Sequence, residues 1–194
     1  MVRAFVAVDL PEDVERAMGA AAQSLRDARI EGLRIVRPEG IHLTLKFLGD
    51  VPESRVDEIG HAVSESVAGH QRFEVSTGGF GAFPNTRRPQ VLWVGLAGRL
   101  EPLMGLQADV DAALSRLGFQ TETRPFHPHL TLARLDRRMP AGARRASLDA
   151  FESTGLSVGM PIPVRSVSLV QSILGRGGAR YVRLFTARLA GSLS

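Results

Sequence analysis

The chain has 194 residues, of which 44% are hydrophobic and 23% charged, so it is long enough to bury a core and lacks the composition of a disordered protein. It contains no cysteine, which excludes disulfides, thiolate metal sites and a cysteine nucleophile. The formal net charge is +4, and Lys46 is the only lysine among 24 basic residues. Arginine suits a nucleotide or RNA partner because its planar fork matches phosphate oxygens, although arginine-rich usage on a solvated surface explains the same count.

The N-terminal apolar run is too short for the hydrophobic region of a signal peptide, and Asp9 interrupts it. No stretch of about 18 apolar residues occurs, so we expect no membrane partner. A cytoplasmic protein is the default expectation.

Apolar residues spaced three or four apart predict helices, and β-branched or aromatic runs predict strands. In chain order the sequence predicts strand 2–9, helix 11–29, strands 33–36 and 41–48, helix 52–68, strands 73–77 and 90–96, helix 101–117, strand 129–135, helix 142–153, and strands 162–163, 164–174 and 180–189. The glycine-rich segment 78–85 is predicted to be a loop, and 175–178 a hairpin turn.

These elements favour a mixed α/β fold whose sheets are largely antiparallel. No linker divides the chain, so we expect a single domain over residues 1–194 with two similar lobes. A pseudo-twofold arrangement would line a central cleft with strands and leave the helices outside, and such clefts commonly hold ligands.

The tetrapeptide His-Leu-Thr-Leu occurs at residues 42–45 and again at 129–132. Because side chains alternate along a strand, His42 and Thr44 share one face, and His129 and Thr131 do the same. A single copy is easily a chance occurrence on a surface or in a core. Two copies in predicted strands indicate a shared site in which two imidazoles and two hydroxyls converge, which suits acid–base chemistry on a phosphate.

The residues around both copies resemble the LigT-like two-histidine phosphoesterases, in particular the RNA 2′,3′-cyclic phosphodiesterases once described as 2′-5′ RNA ligases. The resemblance covers nearly the whole chain and is most specific at residues 124–134, Arg-Pro-Phe-His-Pro-His-Leu-Thr-Leu-Ala-Arg. It implies an enzyme without a cofactor that acts on RNA ends or nucleotides bearing a 2′,3′-cyclic phosphate. The implied site has two catalytic histidines, two hydroxyl partners and one phosphate-contacting arginine: His42, His129, Thr44, Thr131 and Arg134.

Opening such a phosphate requires a base that deprotonates water and an acid that protonates the leaving ribose oxygen. The resemblance implies that His129 is the base and His42 the acid, with a 2′-phosphate as product. The threonines would donate to the non-bridging oxygens and Arg134 would add positive charge, so no metal is needed. Run in reverse, the same pair would join 2′,3′-cyclic and 5′-hydroxyl ends into a 2′-5′ linkage.

His127 lies two residues before His129, a spacing that resembles a metal-binding pair. Pro128 cannot donate in a strand, so the strand is expected to start at or after it, and no carboxylate lies nearby. We therefore interpret His127 as a supporting residue and expect no metal. His61 and His70 are interpreted as surface residues, and Asp9 and Asp50 as turn caps.

Some aromatic residues are also candidates to stack on RNA bases. In a regular strand Phe47, five residues after His42, would face away from the cleft. Phe80 and Phe83, in the predicted loop, would be free to meet a base.

Two alternatives remain open. One is a phosphodiesterase of small cyclic nucleotides, and the other is a non-catalytic RNA-binding protein. We expect the active protein to be a monomer.

Overall fold

A computed structural model describes residues 1–175 and 178–191, and within these ranges the chain forms nine strands and four helices. The strands are β1 Val2–Val8, β2 Leu33–Ile35, β3 Leu43–Val51, β4 Phe73–Phe83, β5 Val91–Ala97, β6 His129–Leu135, β7 Pro161–Val164, β8 Ser166–Gly175 and β9 Gly178–Arg188. The helices are α1 Glu12–Asp27, α2 Val56–Val67, α3 Glu101–Arg116 and α4 Ala141–Glu152. The predicted mixed α/β class is confirmed.

The strands form one sheet in the order β7-β4-β5-β6-β3-β1-β8-β9, with β2 paired to β6 beside this path. All the pairs between these named strands are antiparallel, as predicted. The two motif strands, β3 and β6, are neighbours at the centre, with three further strands of the path on each side. This arrangement supports the single two-lobed domain, which stays a prediction.

The helices cover one face of the sheet. Their buried residues join the core-side residues of the strands in one hydrophobic cluster, which includes Met18, Ile59, Leu106 and Phe151. A second, small cluster lies on the opposite face, because Phe5 and Ala7 alternate with the core residues of β1. The face without helices is therefore the one that remains accessible to a ligand.

The glycine-rich segment 78–85 was predicted to be a loop, and this prediction is wrong, because β4 runs through it to Phe83. A Cβ atom on Gly81 would overlap the ring of Trp93, and one on Gly78 would lie 3.1 Å from the backbone of Leu96. The glycines therefore make room for the neighbouring strand β5 rather than breaking the chain. Phe80 is not free to meet a base, since its ring packs on Phe151 at a centroid distance of 4.8 Å.

The other elements agree with the prediction to within a few residues. The first motif strand begins at Leu43, so that His42 immediately precedes it, because residues Pro38–Gly40 form a short 3-10 turn that leads the chain into the strand. Of the predicted turn at 175–178, residues 176 and 177 lie outside the described residues.

Candidate active site

The two motifs meet where β3 and β6 pair. Leu43 is the partner of Leu130, and both leucine side chains are fully buried on the helix side of the sheet. The residues next to each leucine must point to the opposite face. Four side chains therefore share the accessible face: His42, Thr44, His129 and Thr131. Extending the register by one residue places each histidine across from the threonine of the other strand, so the two imidazoles lie on a diagonal.

A β-bulge follows the first motif. Thr44 pairs with Ala7 and Lys46 pairs with Val6, so Leu45 is an extra residue between them. This extra residue shifts the alternation, so that Lys46 is buried and Phe47, 72% exposed, returns to the face of His42. The prediction that Phe47 faces away is therefore wrong.

A matching bulge follows the second motif. Thr131 pairs with Trp93 and Ala133 pairs with Leu92, which leaves Leu132 as the extra residue. Ala133 is buried and Arg134 is exposed, just as Lys46 is buried and Phe47 is exposed after the first motif. Arg134 lies an odd number of residues after His129, and the bulge is what brings its guanidinium to the face of the histidines. One flank of the site thus carries a cation and the other an aromatic ring.

His42 sits between two aromatic rings. Its imidazole lies 4.7 Å from the Tyr181 ring in an edge-on arrangement and 5.1 Å from the Phe5 ring, measured between centroids. Its Nε2 atom is buried and has no hydrogen-bond partner within residues 1–175 and 178–191. Burial lowers the pKa of His42 to about 4, and the negative charge of Asp9 partly opposes this effect. The imidazole is therefore neutral in the free protein at neutral pH.

The ring of His129 is oriented by a hydrogen bond to the residue two positions earlier in the chain. Its Nδ1 donates a hydrogen bond of 2.6 Å to the carbonyl oxygen of His127. This bond places the proton of the neutral ring on Nδ1 and leaves the Nε2 lone pair free. Burial lowers the pKa of His129, the bond to His127 raises it, and the positive charge of Arg134 lowers it further. These features suit a general base.

Both threonine hydroxyls of the site are accessible to a ligand. Thr44 and Thr131 are partly buried, and neither hydroxyl is engaged in a side-chain hydrogen bond among the residues that the structure describes. Each can therefore donate to an oxygen placed between the histidines.

The aromatic contacts of the second motif come from β4 and β5. The ring of Phe83 lies edge-on to His129 at 5.0 Å and also contacts Trp93 at 5.0 Å. Phe83 therefore lies beside the site, though in a strand rather than in the predicted loop.

Asp9 binds side chains of neighbouring strands rather than capping a turn, and its charge raises the pKa of His42. Its carboxylate accepts hydrogen bonds from Ser168 (2.9 Å), Ser166 (3.3 Å) and Arg183 (2.9 Å) on the neighbouring strands. Sequence reasoning missed this role and that of Tyr181 against His42. The only local signal was an acid directly after a strand, because the pairing of β1 with β8 joins residues far apart in the chain.

Lys46, the only lysine, supports the first bulge from the opposite face. Its ammonium pairs with Asp111 of α3 and donates a 2.8 Å hydrogen bond to the carbonyl oxygen of Gln120. Gln107 Nε2 donates to the Leu45 carbonyl oxygen at 3.5 Å, at the bulge itself. The pair is nearly inaccessible to water, so it holds α3 against the strand that carries His42.

Across the two described ranges, no group of three or more histidine and carboxylate side chains is placed to bind a metal ion. No helix in the same part of the chain has both the length and the apolar character needed to cross a membrane.

The comparisons with known proteins agree with this geometry. The family model described as LigT-like phosphoesterase matches the chain twice, over residues 8–93 and 96–181, with one His-Leu-Thr-Leu motif in each match. An RNA 2′,3′-cyclic phosphodiesterase of Methanothermobacter thermautotrophicus is 35% identical over 188 residues, which cover 97% of this chain and 99% of that protein. Another protein of that name, from Aeropyrum pernix, is 36% identical over 162 residues, or 82% and 88% of the two chains.

Solved structures share the fold. The Thermus thermophilus protein TT0787 superposes with a TM-score of 0.77 at 28% identity, over 96% of this chain and 97% of that one. E. coli LigT complexed with 3′-AMP gives a TM-score of 0.74 at 23% identity, over 98% and 99% of the chains. With both halves matched and the paired motifs on one face of the sheet, the chain belongs to the family of LigT-like phosphoesterases.

Proposed function

We propose that the protein hydrolyses RNA-terminal 2′,3′-cyclic phosphates to 2′-phosphates without a metal ion. The observation that carries the proposal is the Leu43–Leu130 register, which puts both histidines and both threonines on one accessible face. Relatives at 35–36% identity carry the name RNA 2′,3′-cyclic phosphodiesterase, which supports the same substrate class.

In the proposed reaction, His129 Nε2 takes a proton from a water molecule while the water oxygen attacks phosphorus. The bond between phosphorus and the 3′ oxygen breaks, and His42 gives its proton to that oxygen. A 3′-hydroxyl and a 2′-phosphate result, and one proton has moved from His129 to His42 through solvent by the end of the cycle. The diagonal placement of the imidazoles supports the use of one histidine as acid and the other as base, because in-line displacement needs the acid and the base on opposite sides of phosphorus.

Negative charge develops on the non-bridging oxygens as water attacks. The hydroxyls of Thr44 and Thr131 are positioned to donate to these oxygens, and Arg134 adds a positive charge on the same face. Preorganised donors of this kind typically stabilise a transition state by several kcal/mol (roughly 3–4) each.

The proposal includes ligation, because the same arrangement of residues can catalyse it. If the 5′-hydroxyl of a second RNA replaces water, His129 deprotonates it, its oxygen attacks phosphorus, and His42 again protonates the leaving 3′ oxygen. The product is then a 2′-5′ linkage.

The test is the turnover of an oligonucleotide ending in a 2′,3′-cyclic phosphate by His42→Ala and His129→Ala variants. Each should lose roughly 10²–10⁴-fold in kcat, as is usual for an acid or base group. His61→Ala, which removes an exposed histidine from α2, serves as the matched control and should keep wild-type turnover. Wild-type turnover by either active-site variant would overturn the proposal.

Two further readouts separate the proposal from its alternatives. Separation of the products should give 2′-phosphate rather than 3′-phosphate ends, and activity should persist in a metal chelator. Loss of activity in chelator would contradict metal-free catalysis, and an unaltered cyclic end that nevertheless stays bound would favour an RNA-binding protein. The proposal takes the active form to be a cytoplasmic monomer, and size-exclusion chromatography with light scattering tests the oligomeric state.

A further inference from the structure

A basic cavity adjoins the two-histidine site. It has a volume of about 310 Å³, and its wall includes three arginines and one tyrosine: Arg34, Arg37, Arg134 and Tyr181. Tyr181 is also the residue that contacts the His42 ring, and Arg134 is close enough to His129 to lower its pKa. The cavity therefore continues directly from the place where the scissile phosphate is proposed to bind.

Within the described ranges, the protein balances the positive charge of only one of the three arginines in this cavity. Arg34 of β2 is the direct cross-strand partner of Arg134 of β6, and like charges in such positions destabilise a sheet. Asp136 pairs with Arg34 at 3.1 Å. Among residues 1–175 and 178–191, neither Arg37 nor Arg134 forms an ion pair with a carboxylate. An anion in the cavity would relieve the repulsion between these guanidiniums.

The flank on the other side of the site differs. There the residue equivalent to Arg134 is Phe47, whose ring is exposed and lies 5.9 Å from that of Phe5. The two equivalent flanking positions therefore differ, with a guanidinium beside the second motif and an aromatic ring beside the first. At these positions, the next phosphate of a substrate that extends beyond the reacting phosphate finds a cation only beside the second motif.

We propose that this cavity binds the phosphate on the 5′ side of the terminal nucleoside of the RNA. An RNA with a 2′,3′-cyclic end continues only through its 5′ oxygen, so the next anion along the chain must be that phosphate. The inference rests on the proposed function. It adds that the enzyme selects RNA ends over cyclic mononucleotides, because a mononucleoside 2′,3′-cyclic phosphate has a 5′-hydroxyl and no second anion.

The test compares three substrates: adenosine 2′,3′-cyclic phosphate, the same compound with a 5′-phosphate, and the dinucleotide ApA with a 2′,3′-cyclic end. The wild-type protein should turn over the second and third with kcat/KM at least about 10-fold above the first, the scale expected of one hydrogen bond to a charged group. In Arg37→Gln the ratio of second to first should fall by about 10-fold. Arg37 is exposed, so the substitution leaves the core intact.

The control is Arg145→Gln, which removes the same charge from an exposed position on α4. It should keep the wild-type ratio, which separates a local site from a general loss of positive charge. The advantage of the second and third substrates should also shrink as salt rises, because phosphate binding by cations is salt-dependent.

The outcomes distinguish the two proposals. If the wild-type protein hydrolyses none of the three substrates, the proposed function fails. If it hydrolyses all three with equal kcat/KM, or if Arg37→Gln keeps the wild-type ratio, the subsite is wrong while the proposed function stands. If only the dinucleotide is favoured, the cavity recognises a nucleoside rather than a phosphate, which also overturns the inference.

Discussion

The assignment of His42 as the general acid predicts how the reaction depends on pH. A general acid must hold a proton, yet burial lowers the pKa of His42 to about 4. That value lies three pH units below neutrality, so about one molecule in a thousand carries the proton at pH 7. Protonation then costs about 4 kcal/mol. The negative charge of a bound phosphodiester offsets part of this cost, because an opposite charge nearby favours the protonated ring.

The direction in which kcat/KM changes with pH depends on both histidines. The quantity kcat/KM reports the free enzyme, and there the pKa of His129 is also lowered from its usual value of 6.5. Above both pKa values the fraction with His42 protonated falls tenfold for each pH unit. We therefore expect kcat/KM to fall about tenfold per unit between roughly pH 6.5 and 8.5. In contrast, kcat reports the complex, so its decline should begin at higher pH.

Substitution of Asp9 tests this pH dependence, because it changes the pKa of His42. Its carboxylate raises the pKa of His42, so Asp9→Asn should lower that pKa further and reduce kcat/KM across the alkaline limb. Arg183→Gln breaks the 2.9 Å contact with Asp9 but leaves the carboxylate in place, so it should not reduce kcat/KM at alkaline pH.

The assay is steady-state hydrolysis of the cyclic-phosphate dinucleotide from pH 4.5 to 9, with circular dichroism at each pH to verify folding. A kcat/KM that stays constant or rises between pH 6.5 and 8.5 would refute the acid role of His42. Equal effects of the two substitutions would refute the role given to Asp9.

Two further predictions concern the residues that follow His42 in β3. Lys46→Ala leaves the Asp111 carboxylate buried without its partner, so the free energy of unfolding in urea should fall by about 3–5 kcal/mol; a loss below about 1 kcal/mol would show that the pair contributes little. Phe47→Ala removes an exposed ring on the accessible face, so the free energy of unfolding should change by less than about 0.5 kcal/mol. Its KM for the dinucleotide should rise by about tenfold through lost base stacking, and an unchanged KM would exclude that role.

Much of the fold was predictable because its signals are local. The helices follow from apolar residues spaced three or four apart, and nearly every strand from runs bounded by glycine or proline. The duplicated motif was also visible in the sequence, and it placed the histidines and threonines on common faces without any knowledge of the pairing.

Among the predictions that were wrong, two failed for reasons that are not local. The glycines of 78–85 looked like a loop, but Gly81 is small because the Trp93 ring of the next strand occupies the space of its side chain. Regular alternation predicts the wrong face for Phe47, because the orientation of this residue depends on a bulge at Leu45 that exists only in the pairing with β1. Neither the ring nor the pairing can be read from the residues nearby in the chain.

The sequence by itself determined which chemical groups the site can use, since it holds two His-x-Thr units and no cysteine. Tertiary structure decided how they are combined. The Leu43–Leu130 pair sets the histidines diagonally across two strands, and the pairing of β2 with β6 places Arg34 opposite Arg134 beside them. The physical reason is that strand pairing joins residues about 90 to 100 positions apart through backbone hydrogen bonds, and the amino-acid pattern of one strand does not encode which residue of another lies opposite.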